Sequence, residues 1–403
     1  MISYKFRLYP SKEQQDRLEL SLDICRRTYN ELLSELNSGF TKLELSNYLL
    51  DLKACYPEMK NVYSKSLQVE NDNLFRNLKG LSESKKNGNK VGRLRFKGKG
   101  WKKTFTLNQS GFRLDEEQNK LKLSKIGEIK IKNHRLIKGK IKQIIIKKEI
   151  NKWFAILQTD ETIKRKHGEN EIGLDFGLID FITDNNGNKV KLPKEWSLQE
   201  NKIKIHNKKL SRTKKGSNNR KKTVKLLQKS YNKLNNQKND FFHKLSTKLV
   251  TENKVIYLED LSVKDLMIKS YNAKNFQKSA WSRFVNNYLI NKAESADCQI
   301  IFCDRFAPTS QECSSCGRIQ KIKLSNRIYN CSCGLILDRD ENAARNILKS
   351  AKSTFGIPKS SEKIFSIIKY GRLGISLNGE ETNTQSNEQV SSMKLEAYPF
   401  KGG

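Results

Sequence analysis

The stretch CSCGLILDRDENAARNIL, residues 331–348, sets two cysteines and two aspartates ahead of an apolar pattern of helical period. With Cys313 and Cys316 upstream, its Cys331 and Cys333 complete a C-x2-C-x14-C-x-C series. Each short pair is followed directly by a glycine, Gly317 and Gly334, able to take the positive φ of a knuckle turn. Two such pairs at this separation are the pattern of a zinc ribbon, in which four thiolates complete a tetrahedron around one Zn2+. Such a closed set leaves no position for a substrate, so the expected role is structural. The second pair, C-x-C, is a tighter knuckle than the common C-x2-C. Cys25, Cys55, Cys298 and Cys303 lack this spacing and read as small core residues.

The aspartates of the stretch point to different chemistry, with partners far away in the chain. Hydrolysis of a phosphodiester commonly uses two Mg2+ ions clamped by several carboxylates. The candidates are acids at the edges of apolar strands, where solvation alone does not call for charge. Asp175 lies inside IGLDFGLIDFI, with Gly173 and Gly177 leaving room for close approach; Glu259 ends VIYLED; Asp340 opens the final helix. Asp260 and Asp338 are close rivals of their neighbours, and periodicity does not choose between them. Three short strands, a long helical insert, a strand with an acid, a helix, a strand, then an acid at a helix start follow the order of an RNase H-like nuclease.

The elements that must hold these residues can be read from period and turn chemistry. Residues 2–9 alternate as a strand, and Ser11 to Gln14 form a capping box opening a helix to about residue 37. Helical spacing continues to about residue 81, giving a lobe over 11–90. From 91 to 168 the period is two, with short strands from RLRFKGK to KWFAILQT, which predicts a small β-barrel joined by the first strand. Residues 169–305 and 337–350 carry the acids, 306–336 the cysteines, and the polar 351–403 tail is expected to be largely disordered.

Charge sets the class of partner. Lys and Arg number 78 against 43 Asp and Glu, a formal net charge of +35, which calls for a polyanion, most commonly nucleic acid. Residues 201–239 hold fourteen Lys and Arg and no acid. Arg212, Lys214, Lys215, Arg220, Lys221 and Lys222 flank a Gly-Ser break within this basic helical insert (201–250) and are the candidate phosphate contacts. No stretch is apolar over the roughly 18 residues of a membrane span. The N-terminus lacks a signal peptide's apolar core, and the cysteine usage fits a reducing compartment.

With these pieces assembled, the chain resembles the TnpB family of transposon-encoded RNA-guided DNA nucleases, relatives of the type V CRISPR effectors. GLDFGL, YLEDL and DRDENAARNIL match its three RuvC motifs, PTSQECSSCG…YNCSCG its zinc element, RTKKGSNNRKK…FFHKLSTKLV its basic insert, and YKFRLYPSKEQQDRLE its N-terminal wedge. The resemblance covers residues 1 to about 350. It implies an α/β plus β-barrel protein: an RNase H-like (RuvC) domain with an inserted zinc ribbon, and a wedge barrel with an inserted helical recognition lobe. It implies Asp175, Glu259 and Asp340 as catalytic, with Arg339 and Asn342 in support. It also implies a guide RNA and a double-stranded DNA target recognised beside a short flanking motif, in a chain monomeric with its RNA. The expected setting is the bacterial or archaeal cytoplasm, at the nucleoid. Alternatives in view are a miniature CRISPR effector with an array-derived guide, a nuclease-inactive RNA-guided repressor, and a DNA-transposing enzyme working without RNA.

Overall fold

The structure is a computed structural model that describes residues 2–260, 279–304, 307–323 and 326–354. The expected tail lies outside the described residues from 355 onward; its first residues instead continue the last helix.

The chain opens with strand β1 (Ile2–Tyr9), whose Tyr4, Phe6 and Leu8 are buried in alternation with more exposed neighbours. Pro10 cannot continue the ladder, and Ser11 caps helix α1 (Lys12–Asn37) in a reciprocal capping box with Gln14. A second box, Thr41 with Glu44, starts α2 (Lys42–Cys55), and α3 (Ser64–Lys86) closes the helical lobe. Strands β2 (Thr104–Asn108), β3 (Phe112–Asp115), β4 (Lys120–Leu123), β5 (Gly127–Lys132), β6 (Ile141–Glu149) and β7 (Lys152–Thr159) follow. They join β1 in one antiparallel sheet of order β2-β6-β7-β1-β5-β4-β3, so the first strand lies at its middle. Between the two edge strands runs a single 3-10 turn, Gln109–Gly111, rather than a ladder.

RLRFKGK, expected as a strand, is none. Its backbone is taken up by side chains of α1: Asn30 accepts from the Lys97 N–H at 2.8 Å, while Asn30 and Arg26 both donate to the Lys97 carbonyl. Alternation reports two-sided burial but cannot tell a strand partner from a helix wall.

The second sheet contains β8 (Asn170–Asp175), β9 (Ile182–Asp184), β10 (Lys189–Val190), β11 (Asn253–Glu259) and β12 (Gln299–Cys303), in the order β10-β9-β8-β11-β12. β8 to β10 run antiparallel; β11 and β12 add parallel to β8 and to each other. Between β10 and β11 run α4 (Lys194–Ser211) and α5 (Asn218–Glu252), the break falling where Gly216 takes φ +86° and Ser217 caps α5. Helix α6 (Trp281–Phe284) continues through a π-helical turn (Val285–Leu289) into α7 (Ile290–Ala296). Phe176, Phe181, Trp196, Phe242 and Phe284 pack edge-on, tilted or, for Phe181 on Phe242, stacked at 5.4–6.4 Å between ring centres, the core under this sheet. A hairpin of β13 (Ile328–Asn330) and β14 (Ile336–Asp338) then leads directly into α8 (Arg339–Thr354).

Candidate active site and metal centre

Parallel pairing sets Leu174 of β8 opposite Leu258 of β11, so the next residues, Asp175 and Glu259, leave adjacent strands at the same end. Helix α8 reaches that end because it crosses β8 over Gly173. A Cβ there would lie 2.4 Å from the Ala344 carbonyl oxygen and 2.9 Å from the Leu348 Cβ. Gly177 has the same purpose after the strand, where a Cβ would stand 2.6 Å from the Asp180 carbonyl. The third acid, Asp340, enters on the first turn of α8 and is itself buried.

Asp175 feels the other two carboxylates. Asp175 keeps part of its surface open, yet protein crowds its carboxyl; that burial, with the Asp340 and Glu259 charges, pushes it up to about 7. Burial, then the neighbouring Asp260, raises Glu259 as well. Asp340 is met by Arg339 at 3.2 Å and by Arg327 at 3.6 Å. Asp338 is engaged differently: one oxygen accepts from the Asp340 and Glu341 amides at 2.9 and 3.3 Å, the other from Lys189 at 2.7 Å. Burial opposes its ionisation, but these bonds outweigh it and hold its carboxyl below the usual range. Asp338 is thus the helix cap, which leaves Asp340 free of that duty. Lys189 also reaches the buried Asp180 at 3.4 Å, tying β10 to the cap.

The four cysteines converge. Their sulfurs lie within 4.8 Å of one another, the one such group of potential ligands among the described residues. Cys313–Cys333 and Cys316–Cys331 are 3.7 and 3.6 Å apart. A tetrahedron with Zn–S bonds of about 2.3 Å has edges of about 3.8 Å, so the set fits the ion. The Cys333 amide draws the Cys331 thiol down to about 6, toward the thiolate a metal binds. Gly317 and Gly334 take φ +75° and +93° in the knuckles. The carboxylates do not form so tight a group.

What joins the two sites is a pair of asparagines one helical turn apart on α8. Asn342, fully buried, accepts from the Ser314 N–H at 3.0 Å inside the first knuckle and donates to the Glu312 carbonyl at 2.7 Å. Asn346 donates to the Glu312 and Thr309 carbonyls. From the other side, the Arg339 N–H donates to the Arg327 carbonyl. Sequence reading reached Asn342 only through resemblance and missed Asn346, Arg327 and Lys189. An i, i+4 pair of asparagines on an otherwise apolar helix face was the signal for two of them.

The six candidate phosphate contacts sit at the α4–α5 elbow. Arg212, Lys214, Lys215, Lys221 and Lys222 are exposed. Arg220 is half-buried and donates to the Leu210 and Thr213 carbonyls, so it also closes the elbow. Beside it, a cleft of about 550 Å³ opens toward the first sheet. Lys103, Lys148, Arg220, Lys221 and Lys225 line it, with no acid among the lining residues. Burial and then the Lys225 charge lower the Lys148 pKa.

Three family models match the chain: "Probable transposase" over residues 154–269, "Cas12f1-like, TNB domain" over 281–347, and "Helix-turn-helix domain" over 1–41. A Streptomyces pristinaespiralis protein named "Putative RNA-guided DNA endonuclease" is 33% identical over 199 residues, 49% of each chain. The chain thus spans about half the length of that relative. "Putative RNA-guided DNA endonuclease InsQ" of Escherichia coli is 26% identical over 86% of this chain and 91% of its own. TnpB-like proteins of Acanthamoeba polyphaga mimivirus match at 24% over 86% of this chain. Among solved structures, a Cas12f1–sgRNA–target DNA complex aligns with TM-score 0.49 and 14% identity, covering 83% of this chain and 82% of that one.

Proposed function

The chain is a TnpB-like protein, and from that premise we propose that it is a guide-RNA-directed DNA endonuclease working through Asp175, Glu259 and Asp340. The observation that carries this is electrostatic. Three acids from distant parts of the chain are drawn to one partly buried spot, where burial, and then the Asp340 and Glu259 charges, raise Asp175. A fold keeps such a cluster when cations occupy it in the working state. Two Mg2+ ions held there would polarise the scissile phosphodiester and activate a water for in-line attack. Asp175 and Glu259 present their carboxylates from rigid strand ends, and Asp340 completes the set from α8. Arg339 and Arg327 hold Asp340 in place, while Asp338 fixes the first turn of that helix.

In this reading the second sheet with α8 is an RNase H-like (RuvC) nuclease unit, and the four thiolates hold one structural Zn2+ in a ribbon. The first sheet with its helical lobe is the barrel-like wedge that grips a guide–target heteroduplex. The elbow lysines and arginines track phosphates. No helix among the described residues is long and apolar enough to cross a membrane. The relatives' names and the charge of +35 support a cytoplasmic, nucleic-acid-bound protein.

The test starts from RNA that copurifies with the full chain. After sequencing, a DNA duplex complementary to its variable end is presented with Mg2+. Complementarity-dependent cleavage that stops with EDTA and in Asp175→Ala supports the reading. Purified chain without specific RNA, or cutting indifferent to complementarity, overturns it.

A further inference from the structure

Of the chain's four tryptophans, Trp153, Trp196 and Trp281 are buried at 3–4% exposure, while Trp101 is 74% exposed. Phe96, five residues earlier, is 56% exposed. Both belong to the segment KVGRLRFKGKGWKK (90–103), which holds seven Lys and Arg and no acid. Large aromatics left in water beside concentrated positive charge call for an explanation.

The segment is bolted down on both sides of them. The Lys97 ammonium sits 3.5 Å from the centre of the Tyr29 ring, and the Lys97 backbone is held by Asn30 and Arg26. Lys102 forms a buried ion pair with Glu70, whose ionisation burial opposes and Lys102 favours. Leu94 packs against the core. Between these anchors the chain turns at Gly98–Trp101, with the Trp101 N–H donating to the Gly98 carbonyl and Gly100 at φ +77°. The indole edge is near enough to Gly98 that a Cβ there would lie 3.6 Å from Cδ1 and Nε1. The backbone is therefore fixed while both rings face outward.

We propose that Trp101 and Phe96 form a stacking platform for unpaired nucleotides, with the surrounding lysines and arginines meeting the flanking phosphates. Every base offers a π-face, so such a platform accepts single strands with little regard to sequence. Pre-anchoring spares the ordering cost that a free loop would meet on binding. The inference is independent of the carboxylate site and needs no cleavage to test.

Because Trp101 is the exposed tryptophan, its emission reports the contact directly. Full-length chain is titrated with oligothymidylate and oligouridylate of about 12 nucleotides, within the roughly 4–16 nucleotide site sizes of stacking grooves. The expected result is quenching of the red-shifted, exposed emission and protection from acrylamide by either strand, and much less by a duplex of equal charge. By anisotropy of a labelled strand, Trp101→Ala weakens binding about 5- to 150-fold, one stacked base, and Trp101→Phe restores most of it. Phe96→Ala weakens it in the same direction. Unquenched Trp101 emission, equal quenching by duplex, or full affinity in Trp101→Ala overturns the proposal. So does acrylamide protection that grows with protein concentration alone alongside a dimeric mass by light scattering, which would make the rings a self-contact.

Discussion

At the scale of single residues, the contrast between Asp340 and Asp338 is the sharpest. Both lie in DRDENAARN, yet the Asp338 oxygens are engaged by two amides and Lys189, whereas the Asp340 charge acts on Asp175. Asp175→Ala, Glu259→Ala and Asp340→Ala are each expected to lower guided cleavage by at least about 100-fold, more than the roughly 10–100-fold typical of an outer-shell partner. Target binding by filter or gel shift should survive. Asp338→Ala should cost about 0.5–2 kcal/mol of stability as a lost cap, with a smaller loss of rate. Three cleavage rates near wild type would sink the site. The raised Asp175 carries a pH consequence. Its folded value of about 7 exceeds the ordinary aspartate value of about 3.9, so the fold retains a proton that the unfolded chain releases. Asp175's contribution to the stability of the metal-free chain therefore declines as pH rises from about 4 to about 7 and loses nothing more above. Asp175→Asn removes that penalty. Its melting temperature should exceed wild type at pH 8, with a smaller gain at pH 5. An equal gain at both pH values would refute the electrostatic account.

At the scale of elements, α8 is the hinge-pin between the thiols and the acids. Its Asn342 and Asn346 grip the first knuckle, its backbone is joined to Arg327 beside β13, and β8 receives it at Gly173. One zinc per chain is expected by elemental analysis. Serine at Cys313, Cys316, Cys331 or Cys333 should lower folded yield together with activity, because structural zinc contributes folding free energy. Active protein without zinc would refute the ribbon. Asn342→Ala leaves the Ser314 N–H without its acceptor, at about 1–3 kcal/mol, while Asn346 still serves the Glu312 carbonyl. Zinc release to a colorimetric chelator should then be faster than in wild type; an unchanged release rate would remove the clamp from the account.

At the scale of the molecule, the basic excess meets its geometry at the α4–α5 elbow and the adjoining cleft. Neutralising Arg212, Lys214, Lys215, Lys221 and Lys222 together, and sparing Arg220 because it closes the elbow, should weaken binding of matched and unmatched targets alike. Each lost phosphate contact should reduce the salt slope by about 0.9 on duplex DNA or about 0.7 on a single strand, read from about 50 to 200 mM salt. An unchanged slope would make this stretch a solvated face.

Local chemistry was legible in the linear chain because it needs only neighbours. The Ser11 capping box, the break before Ser217 and the knuckle spacing all follow from residues within a few positions of one another. The basic balance of the whole likewise needed no coordinates. The acids were nameable as candidates because charge in an apolar strand is conspicuous, but choosing among adjacent ones was not possible from period alone. The choice proposed for the site rests on the register of β8 on β11 and the direction in which α8 arrives, both set by contacts between residues more than 80 positions apart. The same holds for the loop misread as a strand, where α1 rather than another strand supplied the hydrogen-bond partners. It holds for Trp101 too: sequence shows an aromatic among lysines, and only tertiary packing, by anchoring Lys97 and Lys102 and leaving the indole outside, decides which side of the chain faces water.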